Sequence, residues 1–141
     1  MGRFDNWKKP VMKHGQLTKW KWLPFYPQNI YIGDKVDIGC FTALFGQNGI
    51  ILKENVQIGS HCALYSCDTI DEKGGRIVLE KGVCIGSHST ILPGVQIGRN
   101  TIVGAHSLVT KSLPRNVIAM GCPAKIIKVR SFELEAGESE K

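Results

Sequence analysis

Aliphatic residues recur every six positions along most of this chain. Twelve later members follow Ile32: Ile38, Leu44, Leu52, Ile58, Leu64, Ile70, Leu79, Ile85, Ile91, Ile97, Val103 and Val109, with the phase shifting by two residues before Leu52 and again across the polar stretch 71–75. An amphipathic α-helix would repeat every 3.6 residues. A period of six therefore indicates a short strand followed by a turn, repeated along the chain.

Three six-residue units make one triangular coil, and stacked coils bury the inner face that a single coil leaves open. The aliphatic residue is expected to point inward, glycine to relieve the backbone near a corner, and a small residue to fill the narrow interior. Coils are predicted to start at Ile32, Leu52, Leu79 and Ile97. The prediction is an all-β, parallel β-helix of about four to five triangular coils.

The two ends of the chain differ from the repeat. Residues 1–29 carry three tryptophans among prolines and are predicted to cap the open first coil, with a contribution to a ligand pocket as the alternative. Within them, Gln16–Trp22 is expected to form a helical turn. Residues 30–130 are assigned to the β-helix, and residues 131–141 to a flexible acidic tail.

Composition narrows the class of protein. Hydrophobic residues make up 43% and charged residues 21% of the chain, as is typical of one globular domain. We expect no membrane partner and a cytoplasmic location, because no stretch approaches the roughly 20 apolar residues of a membrane span and no signal-peptide core follows the start. Five cysteines without a CxxC pair favour reduced thiols, so no metal is expected.

The net charge of +6 suits an anionic ligand, and residues 1–30 alone carry +5. Nucleic acid, a membrane surface and a polyphosphate cofactor all fit a basic body. A nucleic-acid face would interleave aromatic with basic residues. Only Lys19–Trp22 has that pattern, and a cap accounts for it more simply, so no nucleic-acid partner is expected.

Three segments carry a resemblance to a known family. They are Ile85–Gly98, Val109–Pro114 and Gly121–Lys125, the last two matching a TK-x-L-P…G-x-P-A-K signature. Over residues 30–129 the chain resembles the hexapeptide-repeat acyltransferases, in the branch of galactoside and maltose O-acetyltransferases and sugar-nucleotide N-acetyltransferases. The resemblance implies a homotrimer with an acetyl-CoA site between neighbouring subunits. It alone implies left-handed winding, since most parallel crossovers are right-handed.

The same resemblance implies the residues that contact acetyl-CoA. Ser87 and Ala105 match backbone contacts to the pantetheine arm, Thr110 and Lys111 match the loop near the diphosphate, and Lys125 and Lys128 match positions near the adenosine phosphates. Exposed lysines attract phosphate as point charges. The alternative for the last two lysines is an ordinary solvated surface.

The resemblance fails at the general base. The O-acetyltransferases carry their catalytic histidine in a long loop after the second coil, whereas Thr69 stands at that place in a shorter loop here. Asp68 and Asp71 in this loop are candidates to hold the acceptor or orient a histidine, or they simply form the turn.

The repeat offers a replacement for the missing histidine. Nine residues after each coil start stand Phe41, His61, His88 and His106, which are predicted to form one outward column. His61 is the first candidate for the base and His88 the second, while Phe41 matches a position that contacts the acceptor. The alternative is a ladder of polar surface residues at a trimer seam.

The absence of the loop histidine bears on which acceptor the protein uses. A positioned base contributes about 10²–10⁴-fold to attack by a hydroxyl, whereas an amine with a pKa near ~8 is already about one tenth neutral at pH 7. The prediction is an acetyl-CoA-dependent acetyltransferase that acts on the amino group of a nucleotide-linked amino sugar by direct attack on the thioester.

Three alternatives remain open. They are an O-acetyltransferase acting on a saccharide hydroxyl, a non-catalytic β-helix scaffold, and a metalloenzyme like the γ-class carbonic anhydrases. For the last, histidines one coil apart are poorly spaced for a single zinc ion.

Overall fold

The computed structural model describes residues 4–131, which form a parallel β-solenoid of three sheets with one short 3₁₀ helix at Pro27–Asn29. The five-stranded sheet consists of β1 (Leu23–Phe25), β4 (Ala43–Phe45), β7 (Ala63–Tyr65), β12 (Thr90–Ile91) and β15 (Leu108–Val109). The four-stranded sheet consists of β2 (Ile30–Ile32), β5 (Ile50–Leu52), β10 (Ile77–Leu79) and β13 (Gln96–Ile97). The all-β prediction is confirmed.

The third sheet has six strands and ends antiparallel. It consists of β3 (Asp37–Ile38), β6 (Gln57–Ile58), β11 (Cys84–Ile85), β14 (Ile102–Val103), β16 (Val117–Gly121) and β17 (Ala124–Val129). Only its last pair, β16 with β17, runs antiparallel. Within residues 4–131, no helix has the length and apolar character needed to cross a bilayer.

The predicted coil register is confirmed. Ile32 pairs with Leu52, Leu52 with Leu79, and Leu79 with Ile97, so the four predicted coil starts stack in the four-stranded sheet. All four side chains are at most 3% exposed. The isolated bridge from Ile97 to Leu113 continues the column into a further coil.

Close stacking of the coils depends on glycine at one position of the repeat. A Cβ at Gly59 would lie 2.6 Å from the backbone nitrogen of Ser87 in the next coil. Because a real Cβ does not come that close to backbone, any larger residue at position 59 would push the next coil outward. Gly59 therefore sets the spacing between its own coil and the coil that carries Ser87.

The N-terminal segment lies over the first coil. Trp22 is 2% exposed in the core, and the Trp7 indole N–H donates to the Val36 carbonyl at 2.9 Å. A cavity of about 230 Å³ remains between this segment and the first coil, and all three tryptophans of the chain line it. The cap that was predicted to cover the first coil is thus an aromatic layer with an opening.

The helical turn expected at Gln16–Trp22 is wrong. The Lys21 N–H donates to the Thr18 carbonyl at 2.9 Å in a tight turn, and Lys21 has a φ of 67°. The chain then enters β1, which pairs with β4, so these residues form the corner of an additional coil. Of the predicted acidic tail, only exposed Ser131 is among the described residues; positions 132–141 lie outside them.

A hairpin interrupts the solenoid between β7 and β10. Its strands β8 (Cys67–Asp68) and β9 (Lys73–Gly74) pair antiparallel, and Ile70 near its tip is 90% exposed. The prediction that Ile70 continues the inward aliphatic repeat is wrong, because the chain leaves the solenoid as a hairpin before it reaches the polar stretch 71–75. The hairpin leaves the solenoid just after the C-terminal end of β7, a strand of the five-stranded sheet.

Candidate functional site

The predicted column of side chains forms at the corner that joins the six-stranded to the five-stranded sheet, here called the histidine corner (39–42, 59–62, 86–89 and 104–107). The rings of His61 and His88 stack at a centroid distance of 4.8 Å and an interplanar angle of 1°. His88 and His106 stack at 4.8 Å and 9°, and Phe41 lies 5.4 Å from His61 at 45°. All four side chains are exposed to solvent.

Left-handed backbone places these side chains outside the coil. Phe41, His61, His88 and His106 have φ values between 57° and 61°. This conformation costs a non-glycine residue roughly 1–2 kcal/mol. Hydrogen bonds between coils hold it in place: the His88 N–H donates to the Ser60 carbonyl at 3.0 Å, and the His106 N–H to the Ser87 carbonyl at 2.9 Å.

A ladder of small polar side chains lies directly behind the column. Its members are Thr42, Cys62, Ser89 and Ser107, each the residue after a member of the column, and each at most 3% exposed. The Ser89 hydroxyl donates to the Gly104 carbonyl at 3.1 Å and accepts from the Ser107 N–H at 3.2 Å. These bonds tie one coil to the next where the chain turns, so the ladder holds the imidazoles in register.

The thiol in this ladder is poorly suited to act as a nucleophile. Cys62 donates to the Gly86 carbonyl at 3.2 Å. Burial raises the pKa of the Cys62 thiol, against a smaller lowering by hydrogen bonds. Because the thiolate is the reactive form, a raised pKa leaves less of it at neutral pH.

Two predicted cofactor residues lie beside the histidines. Ser87 and Ala105 immediately precede His88 and His106 and are stacked on successive coils. Within residues 4–131, the backbone N–H of each makes no hydrogen bond. The histidine corner therefore presents free amide donors next to imidazole nitrogens.

The stacked imidazoles are not arranged to chelate one ion. Rings that lie parallel at 4.8 Å direct their nitrogens side by side rather than toward a common point. No group of three or more His, Cys, Asp or Glu side chains suited to a metal occurs among the described residues 4–131. The arrangement offers proton acceptors rather than a ligand set.

Of the predicted acceptor residues, Phe41 lies in the histidine corner, whereas Asp68 and Asp71 lie beyond the C-terminal ends of the strands of the five-stranded sheet, as do the predicted diphosphate residues. Asp68 is in β8, Asp71 follows in the hairpin, and Thr110 and Lys111 follow β15. The three residues of β7 separate the hairpin from His61, which is about 10 Å of strand. One chain therefore does not bring these residues to the histidines.

Asp68 acts as a turn residue in the hairpin. Its Oδ1 accepts from the Ile70 N–H at 2.9 Å and from the Asp71 N–H at 3.5 Å. This is an Asx-type turn, the structural role left open for these carboxylates. Among residues 4–131 the second Asp68 oxygen has no hydrogen-bond partner and could accept from a ligand.

Lys125 and Lys128 are exposed on β17, at the C-terminal end of the six-stranded sheet. They pair with Met120 and Ile118 of β16. Both lysines are thus placed beyond the last histidine, at the C-terminal end of the solenoid.

The column begins one coil earlier than predicted from the sequence, at Lys21. Lys21 has the same left-handed conformation as Phe41, with a φ of 67°, and its carbonyl accepts from the Phe41 N–H at 2.6 Å. Exposed Trp20 stands beside it. Twenty residues separate Lys21 from Phe41, as they separate Phe41 from His61, and that spacing was available in the sequence.

Comparison with protein families and solved structures places this geometry among known folds. Residues 76–111 match the family described as bacterial transferase hexapeptide (six repeats). Over 112 residues, the chain is 50% identical to galactoside O-acetyltransferase of Escherichia coli, covering 73% of this chain and 55% of that protein. The chain spans about half the length of the curated relatives it matches.

Two solved structures share the fold. The first is AntD, an N-acyltransferase from Bacillus cereus in complex with dTDP and 3-hydroxybutyryl-CoA, with 30% identity, a TM-score of 0.64, and coverage of 82% of this chain and 79% of that chain. The second is a maltose O-acetyltransferase from Clostridium difficile 630, with 26% identity, a TM-score of 0.74, and coverage of 79% and 65%.

Proposed function

Because the chain belongs to the hexapeptide-repeat acyltransferase family, we propose that it transfers an acetyl group from acetyl-CoA to the amino group of a nucleotide-linked amino sugar. The observation that carries the proposal is the column of stacked imidazoles beside the free amides of Ser87 and Ala105. Acyl transfer needs a proton acceptor near the nucleophile and hydrogen-bond donors near the carbonyl. Both kinds of group stand on one edge of the solenoid.

The donor would lie along the histidine corner toward the C-terminal coils. The amides of Ser87 and Ala105 are free to bind the pantetheine arm. Lys125 and Lys128, exposed at the far end, suit the phosphates, because acetyl-CoA is a polyanion. Thr110 and Lys111 are assigned to the diphosphate.

The reaction proceeds by direct attack. The acceptor nitrogen attacks the thioester carbonyl carbon, His61 takes the proton that the nitrogen loses, and the carbon–sulfur bond breaks to release CoA. The Ser87 N–H stabilises the tetrahedral oxyanion. No acyl-enzyme forms in this scheme, which suits the raised pKa of the buried Cys62 thiol.

The proposed site needs a neighbouring subunit. Within one chain, His61 lies before the N-terminal end of β7 and Lys111 lies after the C-terminal end of β15, so the two residues are on opposite sides of the five-stranded sheet. A homotrimer with grooves between subunits would bring the histidine corner of one copy beside the hairpin edge of the next. Asp68, Asp71 and Phe41 would then line the acceptor end of the groove. The cytoplasmic location stays a prediction.

A sugar hydroxyl is the second candidate acceptor. The 50% identity with galactoside O-acetyltransferase favours it. In that case His61 would have to remove a proton from a poor nucleophile, and its loss would cost about 10²–10⁴-fold.

Paired acceptors separate the two candidates. The purified protein is given acetyl-CoA with an amino sugar or with the parent sugar that carries a hydroxyl at the same carbon, and CoA release is measured. We expect kcat/KM to be at least about tenfold higher for the amino sugar, because a neutral amine needs less help from a base. Reactions without protein correct for spontaneous acetylation of the amine.

The other outcomes are equally informative. Equal or faster turnover of the parent sugar would contradict the amine and assign a hydroxyl acceptor. No turnover of either, together with no binding of acetyl-CoA in calorimetry, would leave a non-catalytic scaffold.

A further inference from the structure

The outward column at the histidine corner continues toward the N-terminus beyond Phe41. Leu23 pairs with Ala43, so Lys21 stands in register with Phe41. The two residues share the left-handed conformation, and the Phe41 N–H donates to the Lys21 carbonyl at 2.6 Å. Read from the N-terminal end, the column presents an ammonium group, then an aromatic ring, then imidazoles.

The aromatic ring in this column contributes little to the core. Phe41 is 57% exposed and has a φ of 61°. Both features cost free energy, since the apolar ring stays in water and a left-handed residue with a bulky side chain is strained. The apolar C–H face of a sugar ring would cover the Phe41 ring.

The region around Lys21 is positively charged. No acidic residue occurs between Asp5 and Asp34, whereas five lysines do. One of them, Lys19, has its Nζ 5.6 Å from the centroid of the Trp20 ring, and that ring is 47% exposed. Such a surface attracts an anion.

The spacing along the column fits a sugar that carries a phosphate. Successive coils are about 4.8 Å apart, so the Lys21 corner lies two coils, or about 10 Å, from the His61 corner. A sugar ring that packs on Phe41 with its amine toward His61 would direct a phosphate on its opposite side toward Lys21.

We propose that Lys21, together with Lys19, forms an anion subsite for a phosphate group attached to the acceptor sugar, with Phe41 under the sugar ring. The inference rests on the proposed function and adds that the site recognises a negatively charged phosphate on the acceptor. The phosphate belongs either to a sugar phosphate or to a nucleoside-diphosphate sugar. In the second case, exposed Trp20 beside Lys21 provides a face on which the base stacks.

The test compares one amino sugar in three forms: free, as its 1-phosphate, and as its nucleoside-diphosphate ester. We expect kcat/KM to be at least about tenfold higher for the phosphorylated forms, as one charge-assisted contact provides. Lys21→Asn should remove most of that preference while leaving the free amino sugar and the KM for acetyl-CoA unchanged. Asparagine tolerates the left-handed backbone, so this variant should fold.

Lys35→Asn is the matched control. Lys35 is an exposed lysine with a φ of 59°, at the corner that follows β2 rather than at the histidine corner. Its replacement removes the same charge from the same backbone conformation and should leave the preference intact. A global loss of positive potential would instead affect both variants alike.

The results divide as follows. Equal kcat/KM for the three forms would overturn the subsite, and so would equal effects of Lys21→Asn and Lys35→Asn. In either case, acetylation of the free amino sugar would leave the proposed function standing. No acetylation of any form would overturn both. A further gain for the nucleoside-diphosphate form that Trp20→Leu abolishes identifies the nucleotide as the source of the phosphate, and equal gains for both forms identify the sugar phosphate.

Discussion

At the scale of single residues, His61 is the group whose replacement is most informative. His61→Asn keeps a residue that tolerates the φ of 57° but removes the imidazole. We expect kcat to fall by well over tenfold but by less than the loss of about 10²–10⁴-fold that a hydroxyl acceptor would show, since a neutral amine depends less on its proton acceptor, while acetyl-CoA affinity stays within about twofold. Steady-state kinetics and calorimetry measure the two effects separately.

The column supplies its own control for this experiment. His106→Asn makes the same replacement two coils away, at a φ of 59°, and should leave kcat nearly unchanged. An unchanged kcat in His61→Asn would indicate that the column of stacked histidines has a structural role only. A loss confined to His88→Asn would move the base by one coil.

At the scale of the repeated element, the buried polar ladder behind the histidines is the feature to test. Ser89→Ala removes a hydroxyl that is 1% exposed and leaves the Ser107 N–H without its partner. A buried unsatisfied donor costs about 1–3 kcal/mol. We expect the free energy of unfolding, measured by denaturant titration, to fall by that amount.

Ser60→Ala is the control for the ladder. Ser60 stands at the same corner, is only half-buried, and its hydroxyl makes no hydrogen bond within residues 4–131. Its replacement should change the free energy of unfolding by less than about 0.5 kcal/mol. Equal effects of the two substitutions would show that the ladder bonds do not stabilise the corner.

The coils and the column were predictable because they depend on spacing alone. Nine residues after Leu52 and Leu79 stand His61 and His88, and strict stacking converts this spacing into ring contact. The turn at Lys21 was not predictable from local propensity, since pairing of β1 with β4 overrides it. The free amide of Ser87 could not be predicted from the sequence either. Whether a backbone amide is hydrogen-bonded depends on how the neighbouring coil stacks against it.

At the scale of the whole molecule, the outer face of the five-stranded sheet is the candidate trimer interface. The outward residues of its five strands are Leu23, Phe25, Ala43, Phe45, Ala63, Tyr65, Thr90 and Leu108, none of them charged. The rings of Phe25, Phe45 and Tyr65 stack at 5.0 and 4.7 Å along it. The uncharged face is suited to burial against a second copy of the chain.

A single charge should disrupt this interface without unfolding the coil. In Ala63→Arg the new side chain points outward from the first residue of β7, the central strand of the five-stranded sheet, where a trimer would bury its charge without a partner. We expect light scattering to give three times the 15.6-kDa chain mass for the wild type and the mass of a single chain for the variant. Acetylation should be lost with the trimer, since His61 and Lys111 would no longer share a groove. Gln57→Arg, outward on β6 of the six-stranded sheet, is the control and should keep both the trimer and the activity. A variant at position 63 that remains trimeric would place the interface on another face, and an active monomer would place the whole site within one chain.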